Sequence, residues 1–270
     1  MGKVLIEKLL PSLVKMPIPE TTGATVQGRQ TYEIGLEKVD EYKGDPKTLI
    51  AALRIFQTCN SQPYVFGGVA YTLVMAAREQ DESYAEIGLE EAMGWLEKAQ
   101  ELAPDIVDIN MIEALVYIYS GRYDDARLIL DYLQSIAQGN YYLMKAEIAY
   151  WQRREELDEA VNWYQKAIEV ADTVPRKLRL RNRLADCYLE FGEDEKALEI
   201  YQEAVHFSKE DPWLWHNLSV VYFGKEDYKE AAHYNKLALE LLDFPEAREM
   251  ERALRSKLGT GGLVSRLLGR

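Results

Sequence analysis

Alanine returns along this chain at Ala92, Ala126, Ala160, Ala197 and Ala231, at intervals of 34, 34, 37 and 34 residues. Around the last four the surrounding text is nearly the same: "YDDARLILDYLQ" from Tyr123, "ELDEAVNWYQKA" from Glu156, "EDEKALEIYQEA" from Glu193 and "EDYKEAAHYNKLA" from Glu226. Each is an amphipathic helix with one apolar side and one charged side. Seven residues after each alanine stand Ala99, Leu133, Ala167, Ala204 and Ala238, and nine before the last four stand Tyr117, Trp151, Tyr188 and Tyr222. Small residues let two helices approach closely, and an aromatic on the preceding helix fills the wedge between them. One such helix pair cannot bury its own apolar side, so a chain that writes it repeatedly must stack the copies.

The pattern resembles the tetratricopeptide repeat, a helix-turn-helix unit of about 34 residues. Pro212 to Pro245 matches at Trp215, Leu218, Tyr222, Tyr228, Ala231 and Ala238, with Ser219 in place of Gly and Asn235 in place of an aromatic. Leu178 to Asp211 supplies Leu184, Tyr188, Gly192, Ala197, Tyr201 and Ala204. Val107 to Asn140 matches at Tyr117, Gly121, Tyr123 and Ala126, and Tyr141 to Val174 at Trp151, Ala160, Tyr164 and Ala167. These two copies depart at the first leucine, where Glu113 and Glu147 stand. A register shift that turns both carboxylates to solvent is the reading adopted; the alternative places them between helices at a desolvation cost.

The resemblance implies an all-α, right-handed α-solenoid of five to six helical pairs plus a capping helix. Residues 1–30 read as an N-terminal tail and linker, 31–104 as degenerate repeats with an insertion containing "EQDESYAEIG", 105–245 as four repeats, 246–258 as the cap and 259–270 as a C-terminal tail. Upstream helices are expected over Thr31–Tyr42, Thr48–Cys59 and Tyr64–Ala77. The tails are either frayed ends or segments that dock on a partner or on this chain.

With 32 Lys plus Arg against 45 Asp plus Glu, the formal charge of −13 opposes binding to phosphate backbones, so no nucleic-acid partner is expected. Most of the tyrosines and tryptophans fall at packing positions, so filling the wedge between helices explains them better than a stacking platform does. Cys59 and Cys187 belong to no ligand-spaced cluster, and His206, His216 and His233 fit no metal motif. No apolar run approaches a membrane span, and the N-terminus carries charges where a signal peptide needs an apolar core, so a cytoplasmic location is the expectation. No catalytic constellation, metal site, phosphate loop or cofactor is indicated, and the acidic pairs that open second helices serve the helix dipole.

What the resemblance leaves is a concave groove lined by the first helix of each pair. It implies that Met111, Ile112, Leu115 and Tyr142 form an apolar part, and that Lys145, Arg179, Asn182, Arg183, Trp213, His216 and Asn217 form a more cationic part. A chaperone-tail carboxylate clamp is not reproduced, because Ala149 and Trp213 stand where that clamp needs Asn and Lys. The expected function is a non-enzymatic adaptor or assembly factor holding a protein segment with acidic and apolar residues. The alternative is a structural subunit held in a larger complex through its tails and acidic convex face, its groove filled by its own segment.

Overall fold

The computed structural model describes residues 2–79, 83–207 and 209–258, and among these fourteen helices and one isolated bridge, Arg78 with Tyr84, make up the regular structure. The tail "LVSRLLGR" lies outside the described residues. The chain divides into two compact units, Met1–Arg154 and Glu155–Arg270. The division falls in the turn inside the copy that runs from Tyr141 to Val174.

The first unit holds α1 (Gly2–Leu13), the pairs α2 (Val26–Asp40) with α3 (Pro46–Gln57), α4 (Gln62–Ala76) with α5 (Glu86–Leu102) and α6 (Val107–Tyr119) with α7 (Tyr123–Ile136), and α8 (Tyr141–Arg153). Its main core cluster includes most of α4, a helix that is apolar on every side and buried at nearly every position, as a helix without a polar face must be. Phe56 of α3 wedges between α2 and α4 because Gly35 and Gly68 leave room: a Cβ on either would meet its ring at 2.2 and 2.4 Å.

The N-terminal residues are not a free tail. In α1 the residues Leu5, Ile6, Leu9 and Leu13 are buried, and Met16 just beyond it is buried too. The close approach of Gly2 to the end of α4 leaves no space for a side chain, since a Cβ there would lie 2.4 Å from the Ala77 carbonyl oxygen. The backbone N–H groups of Gly2 and Lys3 donate to the Glu79 carboxylate at 2.8 Å each, an acid placed on a helix N-terminus. The supposed linker is tied down as well: Gln62 donates from its amide to the Pro19 carbonyl at 2.8 Å, Ser61 donates to the Gly23 carbonyl at 2.9 Å, and Thr25 caps α2. α2 therefore starts at Val26 rather than near Thr31.

The second unit holds α9 (Leu157–Val170), the pairs α10 (Val174–Glu190) with α11 (Asp194–Ala204) and α12 (Pro212–Gly224) with α13 (Tyr228–Leu241), and α14 (Pro245–Leu258). The repeated alanines Ala160, Ala197 and Ala231 are fully buried, as are Ala92 and Ala126 in the first unit. Departures from the repeat pattern have local explanations. Ser219 donates its hydroxyl to the Ala231 carbonyl at 2.8 Å, joining α12 to α13, and Asn235 donates to the Ala247 carbonyl at 3.0 Å, joining α13 to α14. α14 buries Ala247 and Leu254 against α13, packing on Ala231, Ala232 and Ala238. Tyr234 stacks on Trp215 and Tyr222, and Leu241 is exposed.

Glu147 corrects the register-shift reading. It is buried between α7 and α8, where Arg127 donates to both of its oxygens at 2.9 and 2.7 Å and Gln134 approaches at 3.4 Å. Glu113 is half-buried and accepts from Gln100 at 2.8 Å. Both glutamates thus keep a helical packing position because the preceding helix supplies a donor.

Candidate functional site

In the first unit the residues expected to line an apolar groove are core. Met111 and Ile112 are fully buried in α6, Leu115 and Tyr142 nearly so, because α6 packs against α4, α5, α7 and α8 rather than presenting a free face. Phe66 of α4 packs against Trp95 of α5, with ring centroids 5.6 Å apart.

Lys145 is also engaged. Its ammonium donates to both oxygens of the buried Asp40 carboxylate and, at 3.0 Å, to the hydroxyl oxygen of Tyr71. The rings of Tyr71, Tyr141 and Tyr142 surround it at 5.5 to 5.8 Å. This places one charge pair between α2, α4 and α8, with Lys145 only 11% exposed and Asp40 5%. A pair so desolvated fixes how these helices meet and offers little to a ligand.

In the second unit the expected residues divide. His216 is buried in a cluster with Trp213 and Phe244, with centroids 6.0 Å from the first and 5.4 Å from the second. Phe244, in the turn before α14, lies 4.6 Å from Trp213 and covers this end of α12. Burial pulls the His216 pKa down to about 4, against a smaller opposing effect of Asn235, so the imidazole is neutral at physiological pH. Asn217 is committed too: its amide donates to Asp186 at 2.7 Å, and the Tyr201 hydroxyl donates to the same carboxylate oxygen. Asp186 thereby ties α10 to α11 and α12.

Arg179, Asn182 and Arg183 remain together on one face of α10, at positions i, i+3 and i+4, all half-buried. Arg183 stands near the buried Tyr164 of α9. Arg179 has no ion-pair partner among the described residues. The Asn182 side-chain oxygen is buried with nothing donating to it. A guanidinium and an unmatched acceptor on one face can take a carboxylate and an N–H group respectively.

Among the described residues no group of His, Cys, Asp or Glu is arranged to hold a metal ion, and no helix is long and apolar enough to cross a membrane. Cys59 and Cys187 are both buried, and burial raises the Cys59 thiol above its usual pKa, which disfavours the reactive thiolate.

A family model of the tetratricopeptide repeat matches residues 140–210. No curated protein matches the sequence. Among solved structures, the signal-transduction ATPase with a tetratricopeptide-repeat sensor from Pyrococcus horikoshii is similar over 89% of this chain and 38% of that one, at 18% identity and a TM-score of 0.60. A chain of the APC/C hetero-tetramer Cut9–Hcn1 is similar over 86% of this chain and 46% of that one, at 14% identity and a TM-score of 0.59. PilW, a type IV pilus biogenesis factor, is similar over 74% of this chain and 90% of that one, at 15% identity and a TM-score of 0.56. The all-helical fold of the chain is therefore that of tetratricopeptide-repeat structures, and its residues 140–210 match the repeat itself.

Proposed function

We propose that this chain is a non-enzymatic adaptor or assembly factor, and that it holds an acidic protein segment against the α10 face of its second unit. The tetratricopeptide repeat is a scaffold for protein–protein interaction, which supports the general reading. The observation that carries the specific one is the Asn182 oxygen, buried and without a donor, beside Arg179 in a chain whose formal charge is −13. A buried acceptor left unmatched costs about 1–3 kcal/mol, and a turn of the half-buried Asn182 amide that brings its oxygen to the surface would let a backbone N–H of a bound segment relieve it while a carboxylate of that segment meets Arg179. Apolar residues of the segment have no counterpart in Met111, Ile112, Leu115 or Tyr142, which are core, so acidity is the recognised feature. Selection of peptides from a random display library against the purified chain tests this. Enrichment of Asp- and Glu-containing peptides that Arg179→Glu no longer selects supports the reading, and enrichment of basic or purely apolar peptides contradicts it.

A further inference from the structure

Two surfaces of the first unit are unfilled and complement each other. Between α1 and α3 runs a groove of about 610 Å³ whose floor includes Leu5, Leu9 and Leu53 and whose walls expose Val4 and Ile50. Lys8 and Arg54 also line it, both exposed, and neither has an ion-pair partner among the described residues. Along α1 the groove extends from Val4 to Leu13, about 14 Å at the helical rise.

On α7 the opposite relief is found. Leu128, Tyr132 and Ile136 are 71%, 58% and 54% exposed, and their spacing of four places them in one stripe about 12 Å long. Asp124, exposed and without an ion-pair partner among the described residues, continues the stripe toward the N-terminus of α7, and Asp131 flanks it. The ridge with its carboxylates and the groove with its cations are similar in length, complementary in relief and opposite in charge.

We infer that the α1–α3 groove receives the α7 stripe of a second copy of this chain, so that the protein associates head to tail. Two α7 stripes facing each other would set Asp124 against Asp124 when parallel or against the apolar Ile136 when antiparallel, and either way leave the groove empty, so pairing of like surfaces is disfavoured. A contact between different surfaces leaves one groove and one stripe free at the ends of every dimer, and association continues to a ring or a filament. This self-association does not depend on the α10 face.

Analytical ultracentrifugation of the full chain, up to roughly 1 mM, tests the inference through complementation. Wild type is expected to exceed the mass of a dimer as concentration rises. Leu128→Glu, which spoils the stripe, and Ile50→Glu, which spoils the groove, should each stay monomeric, yet an equimolar mixture of the two should form dimers and stop there, since each retains the surface the other lacks. Paired Lys8→Glu and Arg54→Glu changes at exposed positions serve as a groove variant that keeps its fold even if Ile50→Glu does not, with folding checked by circular dichroism. A wild type that is monomeric throughout overturns the inference, as does a groove variant that dimerises alone or a mixture of folded variants that stays monomeric.

Discussion

Glu226 occupies in its repeat the place that Gly192 occupies one repeat earlier, and both hold the left-handed backbone conformation, at φ of 60° and 76°. Gly121 and Glu155 take the same place in the two preceding copies, at 74° and 59°. The turn needs this conformation to close the first helix: the N–H of Asp227 donates to the Tyr222 carbonyl at 2.9 Å as that of Glu193 does to Tyr188 at 2.8 Å. Glycine adopts it freely and glutamate at a cost. Glu226→Gly is expected to raise stability by about 0.5–1 kcal/mol, and Gly192→Ala to lower it by a similar amount, in urea unfolding monitored by circular dichroism. A loss from Glu226→Gly would mean that the glutamate side chain contributes more than the backbone costs.

The buried pair of Glu147 and Arg127 should show strong coupling. Glu147→Leu leaves the guanidinium half-buried with only Asp131 to balance it, and Arg127→Met leaves a carboxylate fully buried, so each change alone should cost about 3–5 kcal/mol. The double change removes both charges from the interface of α7 and α8 and should cost clearly less than either. Additive losses in a double-mutant cycle would show that the two side chains act independently.

Ala197 and Ala231 are the contact points of α11 and α13, each fully buried. Ala197→Trp or Ala231→Trp must separate two helices and is expected to cost at least about 1–3 kcal/mol, seen as a lower melting temperature. Full tolerance of both would contradict the packing described.

His216 makes the second unit sensitive to acid. Its folded pKa, about 4, lies below the unfolded value near 6.5, so the unfolded chain binds more protons between these limits. Stability from this residue is present above the unfolded pKa and is lost as pH falls toward about 4, by up to about 3 kcal/mol. Chemical unfolding measured between pH 7 and 4 should show that fall, and His216→Phe should flatten it. An unchanged slope in the variant would assign the acid sensitivity to other groups.

The repeat was legible because its alanines and aromatics act within neighbouring helices, so packing leaves a mark at fixed intervals. What the sequence hid depends on distant partners. Lys145 reads as a groove cation, yet its counter-charge, Asp40, is 105 residues away. Glu147 carries no local sign of burial, although a signal existed: Gln100 precedes Glu113 by 13 residues and Gln134 precedes Glu147 by the same 13, one repeat later. α1 carries a charged outer face and a buried inner one, and nothing within its own residues says that the inner face docks beside α4 and α5. Of the residues expected to bind, Arg179, Asn182 and Arg183 stay together on one face, because their spacing within a single helix already determined their neighbours.

Fluorescence anisotropy with a labelled acidic peptide, titrated with wild type, Arg179→Glu and Arg181→Glu, tests the proposed binding surface most directly. Arg181 is 52% exposed on the same helix, two residues from Arg179 and so on nearly the opposite side of it, and makes a loose 3.9 Å contact with Glu203. Both variants change the net charge equally. Arg179→Glu is expected to weaken binding by roughly tenfold to a hundredfold, the scale of one charge-assisted contact, while Arg181→Glu changes it less than about threefold. Equal weakening by both variants, or none by Arg179→Glu, would contradict a binding surface on the α10 face.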